Sequence, residues 1–122
     1  MSEVAFAFED LVVWQKSVYF AEAVILTIDE IDAPRKHFRL IEQIESSAVS
    51  ISANMAEGKG LYSIKEFVRF LYIARGSLFV CISRLIIAHR LGWIEEEELS
   101  KLKAAGEEIA KMLNSLIKSI KV

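Results

Sequence analysis

Apolar residues recur at spacings of three and four along almost the whole chain, which is the pattern of amphipathic helices. Short polar breaks divide this pattern into four segments, at about residues 9–31, 34–57, 64–91 and 94–120. No segment of useful length alternates apolar and polar residues with the period of two that a β-strand requires. We therefore predict a single all-α domain over residues 1–122, folded as an antiparallel up-down-up-down four-helix bundle.

Charged residues and helix breakers mark the predicted helix ends. Glu9 and Asp10 are expected in the first turn of the first helix, where the positive end of the helix dipole favours carboxylates. Pro34 suits the first position of the second helix, and Gly92 ends the third. The apolar stripe predicted to face the core in the first helix contains Leu11, Trp14, Val18, Ala21, Ile25 and Ile28.

The connection between the second and third helices has the clearest local chemistry. Gly58 is expected to end the second helix with a positive φ, which glycine adopts at little cost. Ser63 is predicted to cap the third helix, with Glu66 three residues later completing a capping box. Asn54 and Glu57 are interpreted as structural residues that hydrogen-bond to the backbone of this turn, rather than as a binding site.

The third helix carries apolar side chains in every direction, more than the stripe of about 100° that a bundle core requires. Because a soluble chain of this size cannot bury the surplus alone, we predict a homo-oligomer. The residues predicted to form its interface are Phe67, Phe70, Tyr72 and Phe79. The first helix has a similar surplus. The alternative is that some of these side chains are simply exposed, as isolated apolar residues often are.

Charge and composition narrow the possible functions. The formal net charge is −2 and the pI is about 5.7, so the chain lacks the overall positive field typical of nucleic-acid-binding domains. The single cysteine, Cys81, fits a reducing cytosol and is expected to be buried and inert. The first residues do not resemble a signal peptide. Arg75 and Arg84 interrupt the most apolar helix, so we predict a cytoplasmic protein without a membrane span.

Candidate catalytic and metal-binding groups are sparse. His37 and His89 could meet at one end of the bundle, but both are better explained as surface residues among charged neighbours. The Glu-x-x-His pairs of di-metal bundles are missing from the sequence. The glycines around Lys59 lack the strand that precedes a phosphate-binding loop. We therefore predict no enzymatic activity, no metal and no cofactor.

Several basic residues cluster along the second and third helices and form a candidate nucleic-acid surface. They are Arg35, Lys36, Arg39, Lys59, Lys65, Arg69 and Arg75. Repeated around an oligomer, such patches could bind RNA or DNA phosphates and release counterions. The alternative is that these residues belong to solvated helix faces, because Glu42 and Glu45 follow closely and the total charge is negative.

Several motifs together resemble the 23S rRNA intervening-sequence proteins, a family of small bacterial four-helix bundles. The resemblance begins with the segment Phe8–Lys16 (FEDLVVWQK) and continues through Asn54–Gly58 (NMAEG). It then follows Phe67–Leu78 (FVRFLYIARGSL) and ends in the last helix around Gly106 and Leu113. No single motif is specific, but the combination covers nearly the whole chain.

The resemblance implies a ring-shaped homo-oligomer, commonly a pentamer, in a family without an established molecular function. It extends to the accessory proteins of diversity-generating retroelements, which are basic pentamers that bind nucleic acid and a reverse transcriptase. This chain departs from the family pattern at Ser46 and Ser47, where many relatives carry basic residues. It also has Phe79–Cys81 where many have an acidic residue. We expect a non-catalytic assembly module that binds RNA or a ribonucleoprotein; the alternative is a protein–protein scaffold without nucleic acid.

Overall fold

The computed structural model describes residues 6–31 and 37–120, and these residues form four α-helices. Helix α1 spans Val12–Asp29, α2 Phe38–Lys59, α3 Ile64–Arg90 and α4 Glu96–Ile120, and a 3-10 turn over Ala7–Asp10 precedes α1. These two stretches contain no β-strand. The predicted all-α fold is confirmed. Pro34 and the predicted start of the second helix lie outside the described residues.

The four helices occupy the corners of a square in chain order. Each packs against its neighbours in sequence, and α4 closes the square against α1. No Cα atoms of the described parts of α1 and α3 come within 8 Å of each other, and the same holds for α2 and α4, so these pairs lie on the diagonals. The start of α3 and the end of α4 share one end of the bundle with the α2–α3 turn, which we call the turn end. The opposite end, with residues 91–95 between α3 and α4, is the loop end.

The side of α1 that faces the core differs from the predicted stripe by about one residue. Its buried residues are Val13, Ser17, Phe20, Ala21, Val24 and Ile28. The predicted Leu11, Trp14, Val18 and Ile25 are only half-buried. Two causes explain the difference: α1 is apolar on most sides, and a polar residue, Ser17, occupies the core. The Ser17 hydroxyl is satisfied because it donates to the Val13 carbonyl oxygen at 2.8 Å.

The prediction that Glu9 and Asp10 lie in the first turn of the first helix was wrong. Glu9 and Asp10 belong to the preceding 3-10 turn, and Leu11 separates them from α1 with an extended backbone (φ −74°, ψ 115°). The Glu9 carboxylate accepts a hydrogen bond from the Phe6 N–H at 2.9 Å. Gln15 Nε2 donates to the Glu9 carbonyl oxygen at 2.7 Å and ties the turn to α1. Glu9 therefore stabilises the 3-10 turn and does not act through the dipole of α1.

Helices α2 and α3 form the most extensive pair in the bundle. Small polar residues allow their axes to approach closely, as the serine content of α2 suggests. Ser50 Oγ donates to Ser77 Oγ across the interface at 2.6 Å. Ser47 is buried, and its hydroxyl is satisfied by the carbonyl oxygens of Gln43 and Ile44, each at 2.9 Å. These serines keep their hydrogen bonds while occupying little volume.

The prediction that Gly58 ends α2 with a positive φ was wrong. Helix α2 continues through Lys59, and Gly92 is the residue of the described chain that has a positive φ (82°). Gly58 is instead a buried helical residue. A Cβ atom at this position would lie 2.6 Å from the Phe70 Cβ and 3.2 Å from the Phe67 Cδ1. Glycine is required here because α3 crosses α2 too closely for any side chain.

The other residues predicted to shape this turn have different roles. Ser63 caps α3 as expected, with its Oγ accepting the Glu66 N–H at 3.2 Å. The Glu66 carboxylate pairs with Arg69 Nε at 3.0 Å instead of accepting the Ser63 N–H, so the predicted capping box is only half formed. Asn54 Nδ2 donates to a carbonyl oxygen one turn earlier in α2, at 2.7 Å, and the Glu57 side chain is exposed. The interpretation of Asn54 and Glu57 as residues that fix the turn is therefore corrected.

Candidate interaction surface

The side of α3 that faces away from the bundle is apolar along most of its length. Phe79 is 54% exposed and Ile87 is 45% exposed, and Tyr72, Ile73 and Val80 are also exposed. Ile73, Val80 and Ile87 follow one another at intervals of seven, so they lie on one face of the helix. We call these five residues the α3 stripe. Its length and continuity distinguish it from the isolated apolar residues common on protein surfaces.

A groove of about 440 Å³ runs beside the α3 stripe, between α3 and α4. Its apolar lining comes mainly from Phe79, Ile82, Ile86 and Ile87 of α3 and from Gly106 and Ala110 of α4. The charged residues Arg90, Lys103 and Glu107 also line it. Gly106 is buried where α4 packs closely on α3: a Cβ atom there would lie 3.0 Å from the Ile82 Cδ1, a crowded distance.

Arg75 bridges α3 and α4 on the turn-end side of this groove. Its Nη1 donates to Asn114 Oδ1 at 2.7 Å. The guanidinium carbon lies 4.8 Å from the ring centre of Tyr72 and 5.9 Å from that of Phe79. These contacts are cation–π interactions that hold the aromatic rings in place. Arg75, which is also one of the residues predicted to bind nucleic acid, is thus a structural partner of the α3 stripe.

A second apolar row lies on the outer face of α1. It consists of Val12, Tyr19 and Leu26, which are 54%, 72% and 66% exposed and are spaced seven residues apart. We call these residues the α1 row. The exposed carboxylates of Glu22 and Asp29 lie on the same side of the helix. Because α1 and α3 are diagonal in the bundle, the α1 row and the α3 stripe point in opposite directions.

Two of the four residues predicted for the interface pack partly within the chain. Phe67 and Phe70 are half-buried at the start of α3, where they lie against Gly58 of α2. Lys59 Nζ lies 5.3 Å from the ring centre of Phe67, and the Arg69 guanidinium carbon lies 4.7 Å from that of Phe70. The periodicity of α3 could not reveal this packing, since it depends on glycine in another helix.

The basic residues predicted to bind nucleic acid do not form one patch. Arg35 and Lys36 lie outside the described residues. Arg39 is near the start of α2, about 30 Å along the helix from Lys59 at a rise of about 1.5 Å per residue. Lys59, Lys65 and Arg69 meet at the turn end, where Arg69 is paired with Glu66.

The two histidines lie at the loop end, as the antiparallel arrangement allowed. The His37 ring centre is 5.2 Å from that of Trp93. His89 Nδ1 lies 2.9 Å from the Ile94 carbonyl oxygen, which accepts a hydrogen bond from the ring N–H when that nitrogen is protonated. Both rings therefore contact residues of the α3–α4 connection, where Ile94 is buried before α4 begins. These contacts give both histidines a structural role in anchoring that connection.

Cys81 is buried in the core, as predicted for an inert thiol. Burial raises the pKa of the Cys81 thiol from 9.0 to about 11, an effect that a hydrogen bond with Ser47 and the charge of Arg84 partly oppose. The thiol therefore remains protonated at neutral pH, and the nucleophilic thiolate is scarce. Across the two described stretches, no group of three or more His, Cys, Asp and Glu side chains is arranged to hold a metal ion.

Helix α3 is long and apolar enough to cross a membrane by length and composition, although Arg75 and Arg84 had been taken to exclude this. In the bundle, one of its sides packs on the core through residues such as Leu71, Leu78 and Leu85. Only 28% of its most apolar window is buried, however. The unusual composition of α3 thus arises from two apolar sides, one in the core and one outside.

Sequence reasoning missed the α4 wall of the groove. Gly106 and Ala110 had no assigned role, although their spacing of four places both on one side of α4. Two small residues at that spacing were a usable signal for close helix contact or for a groove. The partner residues Ile82 and Ile86 could not be assigned to the groove without knowing which side of α3 faces α4.

Comparison with known proteins gives a family and a structural relative. Residues 9–115 match the model of the family described as 23S rRNA-intervening sequence protein. The fold is similar to the 1.70 Å crystal structure of a protein of unknown function from the S23 ribosomal protein family of Bacteroides thetaiotaomicron. The TM-score is 0.80 at 30% sequence identity, covering 88% of this chain and 99% of the other. No curated protein matches the chain significantly.

Proposed function

Because the chain belongs to the 23S rRNA-intervening sequence protein family, we propose that it is a non-catalytic helical module that assembles with further copies of itself. The observation that carries this proposal is the α3 stripe together with the adjoining groove. A continuous apolar face of this length is costly to leave in water and is typical of an interface. A ring of five copies in the cytoplasm is the form that we propose from the family resemblance.

Self-assembly can be tested by measuring the mass in solution. We expect the protein at micromolar concentration to have a mass several times that of the 13.8 kDa chain in light scattering after size exclusion. Phe79→Asp should shift it to a monomer, because a carboxylate would have to be desolvated in the apolar contact. Phe79 is suitable because it is exposed, whereas a change at Phe70 would also disturb the packing on Gly58.

The matched control is Val49→Asp, which places the same charge on an exposed apolar position of α2. This variant should keep the mass of the unchanged protein. Circular dichroism should show that both variants remain helical. A 13.8 kDa mass for the unchanged protein at tens of micromolar would contradict the proposal. Loss of assembly in Val49→Asp as well would mean that α3 is not the contact surface.

RNA binding by the assembled module is a second candidate function, and the distribution of charge favours it. The turn end carries Lys59, Lys65, Arg69, Lys111 and Lys118 beside Glu9, Asp10, Glu57 and Glu66. The loop end carries Asp29, Glu30, Glu42 and Glu95–Glu98 beside Arg39, Arg90, Lys101 and Lys103. Among the described residues, the negative charge is therefore concentrated at the loop end. A ring would repeat the basic turn end around one rim and strengthen its field.

The RNA candidate predicts binding that depends on salt and on the turn end. A short fluorescent single-stranded RNA should bind at low ionic strength, with affinity falling steeply as salt is added. The double variant Lys59→Glu/Lys65→Glu should weaken binding by about tenfold or more. Arg39→Glu/Lys101→Glu makes the same change in net charge at the loop end and should have a smaller effect. Fluorescence anisotropy across a salt series measures both.

Two results would count against RNA binding at the turn end. If the RNA does not bind even at low salt, the module is a protein–protein scaffold, which is the alternative function. If the two double variants lose affinity equally, the binding reflects overall charge rather than a surface at the turn end.

A further inference from the structure

We infer that the groove between α3 and α4 receives α1 of a second copy of this chain, with the two helices parallel. This inference rests on the proposed self-assembly and identifies the surface that covers the α3 stripe. The surface that enters the groove needs three properties. It must carry an exposed apolar row, it must have acidic charge beside that row, and its position must let every copy use both surfaces at once. The α1 row has all three.

The apolar rows match in length and spacing. Tyr19 and Leu26 on α1 are seven residues apart, and so are Phe79 and Ile86, which both line the groove. Helices with apolar rows of this period pack along their length with their side chains interdigitated. The groove lies beside Ile87 and provides room for a bulky inserted side chain such as Leu26. The α1 row therefore supplies a ridge, and α3 and α4 supply the depression.

Charge favours contact between unlike surfaces over contact between like surfaces. The exposed carboxylates flanking the α1 row belong to Glu22 and Asp29, whereas Arg90 and Lys103 lie at the groove. Two copies joined through the same groove would place these cations against each other, which costs free energy. Joining α1 to the groove places opposite charges together, with Glu107 the one acidic side chain at the groove.

The direction of the helices agrees with this pairing. In the up-down-up-down fold, α1 and α3 run in the same direction, so copies related by rotation about a ring axis parallel to the bundle axis present them in parallel. Asp29 follows Leu26 by three residues, and Arg90 follows Ile87 by three residues. A parallel alignment with Leu26 at Ile87 thus brings Asp29 to Arg90. The apolar and ionic contacts are satisfied by the same register.

The position of the two surfaces explains how the contact repeats. They lie on different sides of the bundle, because the described parts of α1 and α3 are diagonal to each other. Each copy can therefore donate α1 to one neighbour and accept α1 from another. Such a contact between unlike surfaces forms a closed ring when the rotation between copies permits. The groove lies between α3 and α4 and is therefore not directly opposite the α1 row. We therefore expect each copy to be rotated relative to the next, as a ring requires, and not to form a straight row.

A mixing experiment with two variants tests this pairing. Leu26→Asp damages the α1 row and leaves the groove intact, whereas Phe79→Asp damages the groove and leaves the α1 row intact. Each variant alone should be monomeric at 13.8 kDa, since every contact needs both surfaces. A mixture of equal amounts should form a one-to-one heterodimer of about twice that mass, because one intact pair of surfaces remains. Native mass spectrometry identifies the heterodimer, and Val49→Asp is the control that should assemble fully.

The other outcomes separate this inference from the proposed function. If Leu26→Asp assembles like the unchanged protein while Phe79→Asp does not, self-assembly stands but α1 is not the partner. A mixture that stays monomeric also overturns the pairing. If the unchanged protein is monomeric, both proposals fail. In that case, if the protein sediments together with phosphatidylcholine–phosphatidylglycerol vesicles, the α3 stripe binds a lipid surface instead.

Discussion

Replacing Gly58 by alanine should lower the free energy of unfolding by about 2 kcal/mol. The new Cβ would lie 2.6 Å from the Phe70 Cβ, closer than such atoms approach in folded proteins. Phe70 cannot relieve the contact by rotating its side chain, because its Cβ is attached directly to the backbone. The start of α3 must move away from α2, at a cost near the upper end of the range for overpacking, about 3 kcal/mol. The better helix propensity of alanine offsets about 1 kcal/mol of this.

Gly60→Ala is the matched control for this prediction. Gly60 lies two residues further along and has a negative φ of −77°. A Cβ there would meet the Glu57 carbonyl oxygen at 3.5 Å, an ordinary van der Waals distance. Alanine should be neutral or slightly stabilising at such a site. Urea unfolding followed by circular dichroism compares the variants at one protein concentration, because the proposed assembly would add to the apparent stability. Equal stabilities would show that α3 does not cross α2 at Gly58.

Replacing Leu85 by alanine should destabilise the bundle by about 3 kcal/mol. The Leu85 side chain is fully buried in the core cluster, to which all four helices contribute. Truncation removes its favourable transfer from water and leaves a cavity that the surrounding helices can fill only partly. This is a large part of the total stability of a domain of this size. The loss can be measured as a lower midpoint of urea unfolding with an unchanged slope.

Leu91→Ala is the corresponding control, since it makes the same chemical change six residues later. Leu91 is 52% exposed just after α3. Its truncation should change the free energy of unfolding by about 0.5 kcal/mol or less. Similar losses at the two positions would contradict the assignment of Leu85 to the core. A larger loss at Leu91 would indicate that its exposed side is covered in the assembled protein.

The fold was predictable because helical periodicity and the short connections act together. The boundaries of α3 agree with the prediction within one residue, since Ser63 caps its start and Gly92 follows its end. The register of α1 was predicted less well. When a helix is apolar on most sides, its sequence allows either of two neighbouring sides to face the core. A serine in the core, such as Ser17, makes the correct side look less apolar and so favours the wrong prediction. Hydrophobic spacing alone cannot choose between them.

The candidate interaction surface was predictable only in part. The apolar surplus of α3 was evident from composition, and Tyr72 and Phe79 are indeed exposed. The inward packing of Phe67 and Phe70 depends on the missing side chain of Gly58 in another helix, which no local pattern reveals. Similarly, residues that seemed to form one basic cluster in sequence divide between the ends of the bundle, because an α-helix separates them by its length.

The seam between α1 and α4 is the least extensive contact between neighbouring helices, and Lys16 and Glu108 form a surface ion pair across it at 3.3 Å. A surface ion pair contributes little to stability. Thermal fluctuations should therefore separate α1 from α4 before the packing between α2 and α3 is disturbed. The hairpin of α2 and α3 would then act as the rigid half of the molecule. A binding partner that requires this protein to open locally would therefore separate α1 from α4.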